Sequence, residues 1–489
     1  MSKQETMDIH GKPYNRSWLV AVLLIGSFCT VLNQTLLATA TPKLMTAFDI
    51  GATDVQWLTT GFLLINGMMI PITGWLISRF PSKNLYLSAM IIFLIGTFTC
   101  FIAPNFTTLL IGRLIQAVGV GLSMPLQQNI MFSIFPPEKR GAAMGMSGIV
   151  IGLAPAIGPT LSGWIVDNYS WRVLFGMMLP ISVIVVILSF FLMKNVLEVS
   201  KSKIDFASIV LSCLAFGTML YGFSSVGSKG WGDQLVLGCI AVGLVFLAIF
   251  TLRQLKMATP FLELRVFKSK MFTVTTILSG LVMMAMIGAE MVLPMYIQNI
   301  RGETAFNSGL MLLPGALVMG FMMPITGKIF DKQGAKRLTI LGMFILAVST
   351  LPFAFLTVNT PLIYIIVLYG IRMFAIAMAM MPLTTAGLNA LPHHLISHGT
   401  AVNSTFRQVA SSIGTAVLIS VLSNVTTNNM PKESMLEKTP LAYKEQIVDA
   451  LLSGYHSAFF IAVIFAVIGC LLAFMLSSNK TTMTQGGKA

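Results

Sequence analysis

Four charged side chains lie inside long apolar runs of the sequence: Glu290, Arg113, Arg372 and Arg407. A charge inside a membrane-length apolar segment is costly, so it usually faces a partner or a water-filled cavity and serves a function. Of seventeen acidic residues, only Glu290, in LVMMAMIGAEMVLPMYIQ (281–298), sits well inside such a run. Burial disfavours the charged form of a carboxyl and a nearby cation favours it. Glu290 is therefore our candidate for a group that gains and loses a proton as its surroundings change.

Other interpretations of these charges stay open at the level of sequence. Glu290 could be paired structurally with Arg372 or another arginine. Asp54, at the outer mouth of the second apolar run, is a second candidate proton carrier, although an ordinary charge at a helix N-terminus explains it equally well. Arg113 lies near the outer end of its run, where its side chain could reach the interface. If Arg372 and Arg407 line the substrate pathway, their charge favours anionic or zwitterionic substrates. If the charge of Glu290 dominates the pathway, cationic substrates are favoured.

The composition is that of a membrane protein. The chain has 489 residues, of which 55% are hydrophobic and 10% are charged, too apolar for a water-soluble surface. The net charge of +14 is scattered through short loops instead of one face, so we expect no nucleic-acid partner. The five cysteines all lie in apolar runs without a CxxC motif, which favours structural thiols. His394 and His398 stand four apart in a loop without acidic or cysteine ligands, so we expect no metal site.

Fourteen apolar segments are long enough to cross a bilayer, the first at 18–41 and the last at 456–477. The even number places both termini on one side of the membrane. With the termini inside, the inside segments hold twenty-one Lys and Arg residues, the outside loops seven and the spans three. The positive-inside rule therefore predicts cytoplasmic termini.

The predicted organisation has six parts. It comprises a cytoplasmic N-terminal tail (1–17), an N-terminal six-helix bundle (18–193), a linker with two extra transmembrane helices (194–252), a cytoplasmic basic loop (253–270), a C-terminal six-helix bundle (271–477) and a cytoplasmic C-terminal tail (478–489).

The sequence repeats itself at a nearly constant offset. GMMIPITG (67–74) recurs as GFMMPITG (320–327), and RGAAMG (140–145) corresponds to HGTAVN (398–403). MPL likewise recurs between these two pairs, so the order and spacing of helices are duplicated. Tandem halves of equal topology are typical of transporters that carry the substrate between two bundles. We therefore predict an all-α polytopic membrane protein of two six-helix bundles plus two extra central helices.

The fifth apolar segment, GIVIGLAPAIGPTLSGW (148–164), is rich in residues that shape helix contacts. Glycines remove side chains where another helix comes close, and prolines remove backbone donors and bend the helix. Small residues serve any helix packing, so this stretch is not specific alone. The residues are Gly148, Gly152, Pro155, Gly158, Pro159 and Gly163.

The layout and these motifs resemble the major facilitator superfamily, and within it the fourteen-helix drug:proton antiporter family of multidrug and lincomycin-resistance exporters, over about residues 18 to 477. The fifth segment resembles the family's antiporter signature, which favours an exporter. LLIGRLIQAVGVG (109–121) resembles a helix 4 signature, and the resemblance implies a part for Arg113 in proton coupling and a place for Gln116 on the pathway.

The loop after the second segment resembles the superfamily's gating loop in part. Ser78 stands where the family usually has an aspartate, so the first-half loop lacks an acidic group. The second-half loop keeps it as Asp331, and a carboxylate near basic loops can act as a cytoplasmic charge latch. The residues that fit the gating pattern are Gly74, Arg79 and Lys83 in the first copy and Gly327, Asp331, Gly334 and Arg337 in the second.

The first segment contains LNQTLLATATPKL (32–44), which resembles a family signature with an aspartate where Asn33 stands. An asparagine does not titrate, so one candidate proton carrier is absent. We place Asn33 and Gln34 on the substrate pathway.

The resemblance implies a proton-coupled efflux antiporter that exports amphipathic drugs by alternating access in a bacterial plasma membrane. An exporter of an endogenous metabolite or lipid, with drug efflux incidental, is the alternative. We expect no enzyme activity, because no Walker loop, HExxH or GxSxG motif is present. The expected partners are the lipid bilayer, small amphipathic substrates and protons; we expect a monomer without cofactors, driven by the proton gradient.

Overall fold

The computed structural model describes residues 6–9, 11–37, 40–199, 205–431 and 440–476. Two short antiparallel strands, β1 (Thr6–Met7) and β2 (Pro13–Tyr14), precede the helices. The remainder is helices and connecting loops, which confirms the predicted all-α class of the membrane domain. The predicted C-terminal tail, 478–489, lies outside the described residues.

Sixteen α-helices follow in the described parts of the chain. They are α1 (Arg16–Thr35), α2 (Thr41–Phe48), α3 (Ala52–Arg79), α4 (Ser82–Phe101), α5 (Phe106–Ile134), α6 (Arg140–Asn168), α7 (Arg172–Gly176), α8 (Met178–Leu192), α9 (Phe206–Lys229), α10 (Gln234–Lys256), α11 (Lys270–Asn299), α12 (Ala305–Gln333), α13 (Ala335–Thr350), α14 (Leu362–Asn389), α15 (Ile396–Asn429) and α16 (Pro440–Ala473). Short 3-10 turns occur at Pro137–Lys139, Leu264–Lys268, Leu351–Phe355 and His393–Leu395.

Fourteen of the described helical segments are long and apolar enough to cross a membrane, as predicted. Helices α7 and α8 together form one of them, and α9 and α10 are two separate spans. The first span was predicted to run to residue 41, but helix α1 ends at Thr35. Residue 41 belongs to a separate helix, because α2 begins at Thr41 with Pro42 in its first turn. The last helix was predicted to begin at residue 456, but it begins at Pro440. The prediction relied on hydropathy, and the first turns of this helix are polar and charged.

Polar side chains define where several helices begin. Asn15 Oδ1 accepts hydrogen bonds from the backbone N–H groups of Ser17 and Trp18 at 3.0 and 3.4 Å. Asn105 Oδ1 accepts from Thr108 N at 2.9 Å. These oxygens satisfy N–H groups that have no partner within the first turn of a helix. The apolar sequences that follow then continue as membrane-length helices.

The spans form two halves, and we call α1–α8 the N-half and α11–α16 the C-half. The halves meet through α6 against α12 and α3 against α15. Helix α9 packs against both α3 and α15, and α10 packs on α9. Phe216, Met219 and Leu220 of α9 form an apolar cluster with Leu64 of α3 and Val409 of α15. The two extra helices therefore attach to the molecule where the halves meet.

An ion pair fastens the α9–α10 hairpin. Arg253 Nη2 lies 3.0 Å from Asp205 Oδ1, and Asp205 also caps α9 by accepting from Ser208 N at 3.3 Å. Burial raises the pKa of the Asp205 carboxyl, but hydrogen bonds from Arg253 and Ser208 together outweigh it, so its pKa lies below the ordinary value. The charged carboxylate thus stabilises the start of α9.

We expect Asp205→Ala to lower the midpoint of thermal unfolding, by loss of a cap that contributes about 1 kcal/mol. Asp205→Asn keeps the cap and loses only the ion pair, so its midpoint should lie between those of the native chain and Asp205→Ala. Because the folded-state pKa is depressed, the ion-pair contribution is present above the ordinary carboxyl pKa and is lost as the pH falls through the folded value. Tryptophan fluorescence during heating of the purified protein measures this order. Equal midpoints for all three chains would contradict it.

Candidate functional site

The N-half holds a buried arginine in a network of neutral groups. Arg113 Nη1 on α5 donates to Asn33 Oδ1 on α1 at 2.7 Å and to Gln116 Oε1 at 3.0 Å. Gln116 Nε2 in turn donates to Thr97 Oγ1 on α4 at 2.9 Å. The guanidinium lies over the Phe62 ring, 4.2 Å from its centroid. Arg113 is 1% exposed, so its side chain is held inside the bundle and does not reach the surface.

The C-half holds a second buried arginine beside a carboxylate. Arg372 Nε on α14 donates to Thr350 Oγ1 on α13 at 3.0 Å, and its Nη2 donates to the carbonyl of Ala285 on α11. Its Nη1 is buried without a hydrogen-bond partner. Glu290 on α11 is close enough to interact electrostatically with Arg372 but forms no ion pair within 4.0 Å. A strong structural ion pair, the alternative explanation of Glu290, is therefore absent in this conformation of the described residues.

These two networks occupy equivalent places in the repeat. Asn33 and Glu290 are 257 positions apart, and Arg113 and Arg372 are 259 apart. Thr97 and Thr350, which complete the two networks, are 253 apart. In each half, therefore, the arginine lies between a polar side chain on the first membrane-spanning helix and a threonine on the third. The repeat itself could have revealed this correspondence, because its motif offsets of 253 and 258 are close to these three values.

The two halves differ in whether this site can titrate. Where the N-half has the amide of Asn33, the C-half has the carboxyl of Glu290. An amide stays neutral at all relevant pH values, whereas a carboxyl changes charge. Glu290 is partly exposed, and Asn33 is 1% exposed. The titratable carboxyl is thus less closely packed than the amide that occupies its place in the N-half.

The remaining predicted polar residues lie apart from these networks. Asp54 is exposed in the first turn of α3, with no side-chain hydrogen bond or ion pair among the described residues. Gln34 follows Asn33 on α1 and is half-buried. The arrangement of Asp54 is that of a charge at a helix N-terminus.

Helix α6 packs on α12 through its small residues. A Cβ atom on Gly145 would lie 2.7 Å from Met323 O and from Pro324 Cα, and one on Gly148 would lie 2.6 Å from Met323 Sδ. Gly152 faces Gly320 at the middle of the contact, where a Cβ would come within 3.1 Å of its backbone nitrogen. The glycines of the predicted antiporter motif therefore allow the two halves to approach along one helix pair.

The outer part of α6 has a second neighbour. Gly158 packs directly against Thr35 of α1, and Ser162 Oγ donates to Leu36 O just beyond the end of α1. A Cβ on Gly163 would lie 3.8 Å from Phe306 Cα of α12, an ordinary van der Waals contact. Pro155 and Pro159 lie within this continuous helix. Helix α6 thus touches α1 of its own half and α12 of the other half at the same level.

One carboxylate joins the halves at the end that carries the basic loops, here called the basic end and predicted to be cytoplasmic. Asp331 near the end of α12 accepts from Gly141 N at 2.9 Å and from Ala142 N at 3.1 Å, at the start of α6. We call these three residues the latch. The carboxylate satisfies two N–H groups at a helix N-terminus, where negative charge is favoured.

Side-chain hydrogen bonds strengthen the closure of the basic end. Asn129 Nδ2 on α5 donates to Ser397 Oγ on α15 at 2.6 Å. Arg140 Nη1 on α6 donates to Asn389 Oδ1 on α14 at 3.0 Å. Each bond joins one half to the other. The structure therefore has the basic end closed.

The second gating loop surrounds the latch. Gly327 packs directly on the backbone of Gly141, where no Cβ would fit. Gly334, with φ of 80°, ends α12 in a conformation that favours glycine. Arg337 is exposed and does not pair with Asp331 among the described residues. The latch thus rests on backbone donors and not on an ion pair.

The first gating loop has a serine where the second has Asp331. Ser78, 253 positions before Asp331, donates to Trp75 O of its own helix at 2.8 Å. Gly74 lies against Ala401 Cβ of α15, where a Cβ would come within 2.7 Å. Arg79 is exposed, and Lys83 Nζ lies 5.2 Å from the Phe190 ring centroid.

A cavity of about 210 Å³ lies beside Ser78 at the basic end. It is lined by Trp75, Ser78, Thr259, Pro260, Glu263, His394, Leu395 and His398. His398 Nδ1 accepts from Glu263 N at 3.3 Å, which ties the basic loop to α15. Within the described residues, no group of three or more His, Cys, Asp and Glu residues could hold a metal ion, and the five cysteines are free thiols.

A second, central cavity of about 20 Å³ lies between the halves. It is lined by Gln128, Met144, Ser147, Gly148, Ile151, Met323, Met380, Met381 and Thr384. Arg407 on α15 lies behind this lining, with its Nη2 3.9 Å from Met380 Sδ. Methionine side chains are flexible and suit a site of variable shape.

Two repeated helical halves, with charged groups buried inside them and one close helix pair between them, define a secondary transporter. The family model of the Major Facilitator Superfamily matches residues 23–415, and the chain belongs to this family. It is therefore a multi-pass membrane transporter and not an enzyme.

Similar proteins bear this out. The chain is 52% identical over 477 residues to an uncharacterised MFS-type transporter, YcnB of Bacillus subtilis (strain 168), with 98% of both chains covered. It is 40% identical over 478 residues to the lincomycin resistance protein LmrB of Bacillus subtilis (strain 168), covering 97% of this chain and 99% of that one. The structure of the human organic anion transporter MFSD10 matches with a TM-score of 0.63 at 14% identity, covering 94% of this chain and 99% of that one. The last likeness shows the fold.

The α6–α12 contact predicts a position-specific effect of adding one methyl group. Gly145→Ala should lower the thermal unfolding midpoint, since its Cβ would force backbone atoms apart, an overpacking cost of about 1–3 kcal/mol. Gly370→Ala is the matched control in α14, because a Cβ there would meet nothing within 4 Å. Alanine is also favoured over glycine in helices, so the control midpoint should stay or rise. A similar loss in both variants would contradict the interpretation of α6.

The latch predicts that Asp331→Ala opens the basic end. Two N–H groups would lose their acceptor, at about 1–3 kcal/mol each, which favours the open state by about fivefold or more. A cysteine introduced as Met144→Cys, in the central cavity, should then react correspondingly faster with a water-soluble maleimide. Lys332→Ala, at an exposed neighbouring position, should leave the rate unchanged. An unchanged rate in Asp331→Ala would remove the latch.

Proposed function

We propose that the chain is a proton-coupled efflux antiporter that exports amphipathic compounds by alternating access. The observation that carries this proposal is the Glu290–Arg372 arrangement, because it places one titratable group beside a fixed buried cation. Glu290 is partly exposed and has no hydrogen-bond partner among the described residues. A carboxyl with this freedom can exchange its proton when the path to it opens.

Arg372 makes protonation of Glu290 less favourable, because its positive charge stabilises the carboxylate. The free-energy cost of protonation depends on the conformation. The guanidinium is held by Thr350 and by the Ala285 carbonyl, so it stays in place whether or not Glu290 is charged. Rocking of the halves would change how far water reaches Glu290, while Arg372 stays beside it. The charged form of Glu290 is favoured where water reaches the carboxyl and disfavoured where the carboxyl is buried. Proton release can therefore follow the movement of the halves.

Alternating access is supported by the contacts between the halves. The basic end is closed by the latch and by the Asn129–Ser397 and Arg140–Asn389 hydrogen bonds. These are polar contacts that can break without exposing a large apolar surface. The α6–α12 pair, packed through glycines, offers an axis about which the halves can rock.

The export direction and the substrate class of amphipathic drugs are supported by the named relatives. LmrB of Bacillus subtilis is named for lincomycin resistance, and a protein 29% identical over 380 residues is named a multidrug resistance protein B homologue in Mycobacterium tuberculosis (strain ATCC 25618 / H37Rv). A membrane transporter can confer resistance by moving the compound out of the cell. We place the chain in the bacterial plasma membrane with both termini cytoplasmic, as the positive-inside rule predicts.

The test is proton movement in liposomes that contain the purified chain and a pH-sensitive dye inside. With an imposed pH gradient, addition of lincomycin should drive proton movement in the native chain and not in Glu290→Gln, while lincomycin binding is retained. Asp54→Asn is the control, and it should couple normally. Coupling in Glu290→Gln together with its loss in Asp54→Asn would transfer the role to Asp54.

A second variant tests the equivalence of the halves. Asn33→Asp combined with Glu290→Gln moves the carboxyl to the same place in the N-half, beside Arg113. If position within the repeat is sufficient, this double variant should recover part of the proton movement. No recovery would show that the C-half environment is also required. No drug-driven proton movement even in the native chain would overturn the antiport proposal for that substrate.

A further inference from the structure

Arg407 is a buried cation without a counter-charge. Its side chain on α15 is 9% exposed, and its Nε is buried without a hydrogen-bond partner. Its Nη2 has only sulfur acceptors, Met283 Sδ at 3.6 Å and Met380 Sδ at 3.9 Å. Among the described residues no oxygen accepts from it, and no acidic side chain interacts with it. Thioether sulfur is a weak acceptor, so the guanidinium is poorly solvated by the protein.

The other two mid-span arginines show that this lack is specific. Arg113 donates to the side-chain oxygens of Asn33 and Gln116, and Arg372 donates to Thr350 Oγ1. Each of these cations therefore has oxygen acceptors from its own half. Arg407 alone among the three has none in the described residues.

The repeat shows that helix packing does not require an arginine at this place. Gly141 of α6 corresponds to Gly399 of α15 at an offset of 258, and the same offset relates Arg407 to Ile149. Ile149 is half-buried in the equivalent helix. An apolar side chain thus suffices in the N-half. Burying the charge of Arg407 costs free energy, and the fold could avoid this cost with an apolar residue. The presence of the charge therefore points to a ligand.

The surroundings of Arg407 connect it to the space between the halves. Met380, one of its two sulfur contacts, lines the central cavity. Gln128, on the opposite half, lines the same cavity, and its buried Oε1 has no hydrogen-bond partner in the part of the chain that the structure describes. Methionine side chains adapt their shape easily, so the cavity can enlarge around a ligand when the halves separate. A ligand there would meet a sulfur-rich wall, and the Arg407 cation lies directly behind Met380 of that wall.

We propose that Arg407 binds the anionic head of the transported compound, so that the substrates include amphipathic organic acids with a carboxylate or a similar oxyanion. This inference rests on the proposed function and names its substrate class. A planar guanidinium matches a carboxylate with two parallel hydrogen bonds. The apolar part of the substrate would lie against the methionines. Glu290 stays free for the proton, because the substrate charge is met by a different residue.

The test is a binding measurement without any gradient, so that it does not depend on coupling. The full chain in nanodiscs of phosphatidylcholine is titrated with three probes that share a dansyl-labelled undecyl chain and end in a carboxylate, a carboxamide or a primary amine. The carboxylate should bind at least about tenfold more tightly than the carboxamide, because hydrogen bonds to charged groups are worth about 1.5–3 kcal/mol. Arg407→Gln should lose this preference, and Arg407→Lys should retain part of it.

Heating the same samples guards against a variant that merely misfolds. Arg407→Met removes an uncompensated charge, so its unfolding midpoint without a probe should equal or exceed the native one. The carboxylate probe should raise the native midpoint and not that of Arg407→Met. A marked fall of the midpoint in Arg407→Met would assign a structural role to the arginine and overturn the proposal.

Further arms identify the source of the anion. Inorganic phosphate is added at constant ionic strength as a competitor of the labelled carboxylate probe. If phosphate competes as strongly as the unlabelled carboxylate does, Arg407 belongs to a site for small anions instead. Loss of the preference in nanodiscs that contain phosphatidylglycerol would assign Arg407 to a lipid headgroup. No preference for the carboxylate in the native chain, or the same preference in Arg407→Gln, would also overturn the proposal. None of these outcomes depends on whether Glu290 carries the proton.

Discussion

A guanidinium inside an apolar bundle has to be solvated by the protein, and this constraint organises both halves of the transporter. Arg113 joins α5 to α1 through Asn33 and to α3 through the carbonyl of Leu58, and Arg372 joins α14 to α13 and α11. Removing those acceptors would leave a buried charge unpaired, which is more costly than the loss of one hydrogen bond. Arg113 therefore fixes the side chain of Asn33, and Arg372 holds the backbone of α11, the helix that carries Glu290.

Movement between the halves requires contacts of a different kind. The α6–α12 pair brings backbone close to backbone through glycine, which leaves few interlocked side chains to resist sliding. The latch joins the halves through one carboxylate and two backbone donors. Within each half the arginine networks are rigid, and between the halves the contacts are small and reversible. Such a division lets the halves move as units.

The number of membrane spans and the charged residues inside them could be predicted from the sequence, because both are local properties of the chain. The start of α16 was missed, because its polar first turns hide a helix that continues into the membrane. The partners of Asp331 were not predictable, since Gly141 lies 190 positions away and donates through its backbone. The pairing of Asn33 with Arg113 could have been found, because Glu290 and Arg372 repeat it at nearly the same offset.

The duplicated halves also separate what the fold needs from what the function needs. Where Asn33, Ser78 and Ile149 stand in the N-half, the C-half has a charged residue at the equivalent position, and these three are Glu290, Asp331 and Arg407. The packing of the N-half shows that neutral residues satisfy the helix contacts at all three places. A charge at such a place opposes membrane burial, so packing alone does not account for it. The three charges of the C-half differ in their surroundings. Glu290 lies beside a cation, Asp331 accepts from the backbone of the other half, and Arg407 has only sulfur acceptors among the described residues. An internal repeat can thus be used as its own comparison, in which the differences between equivalent positions mark the working residues.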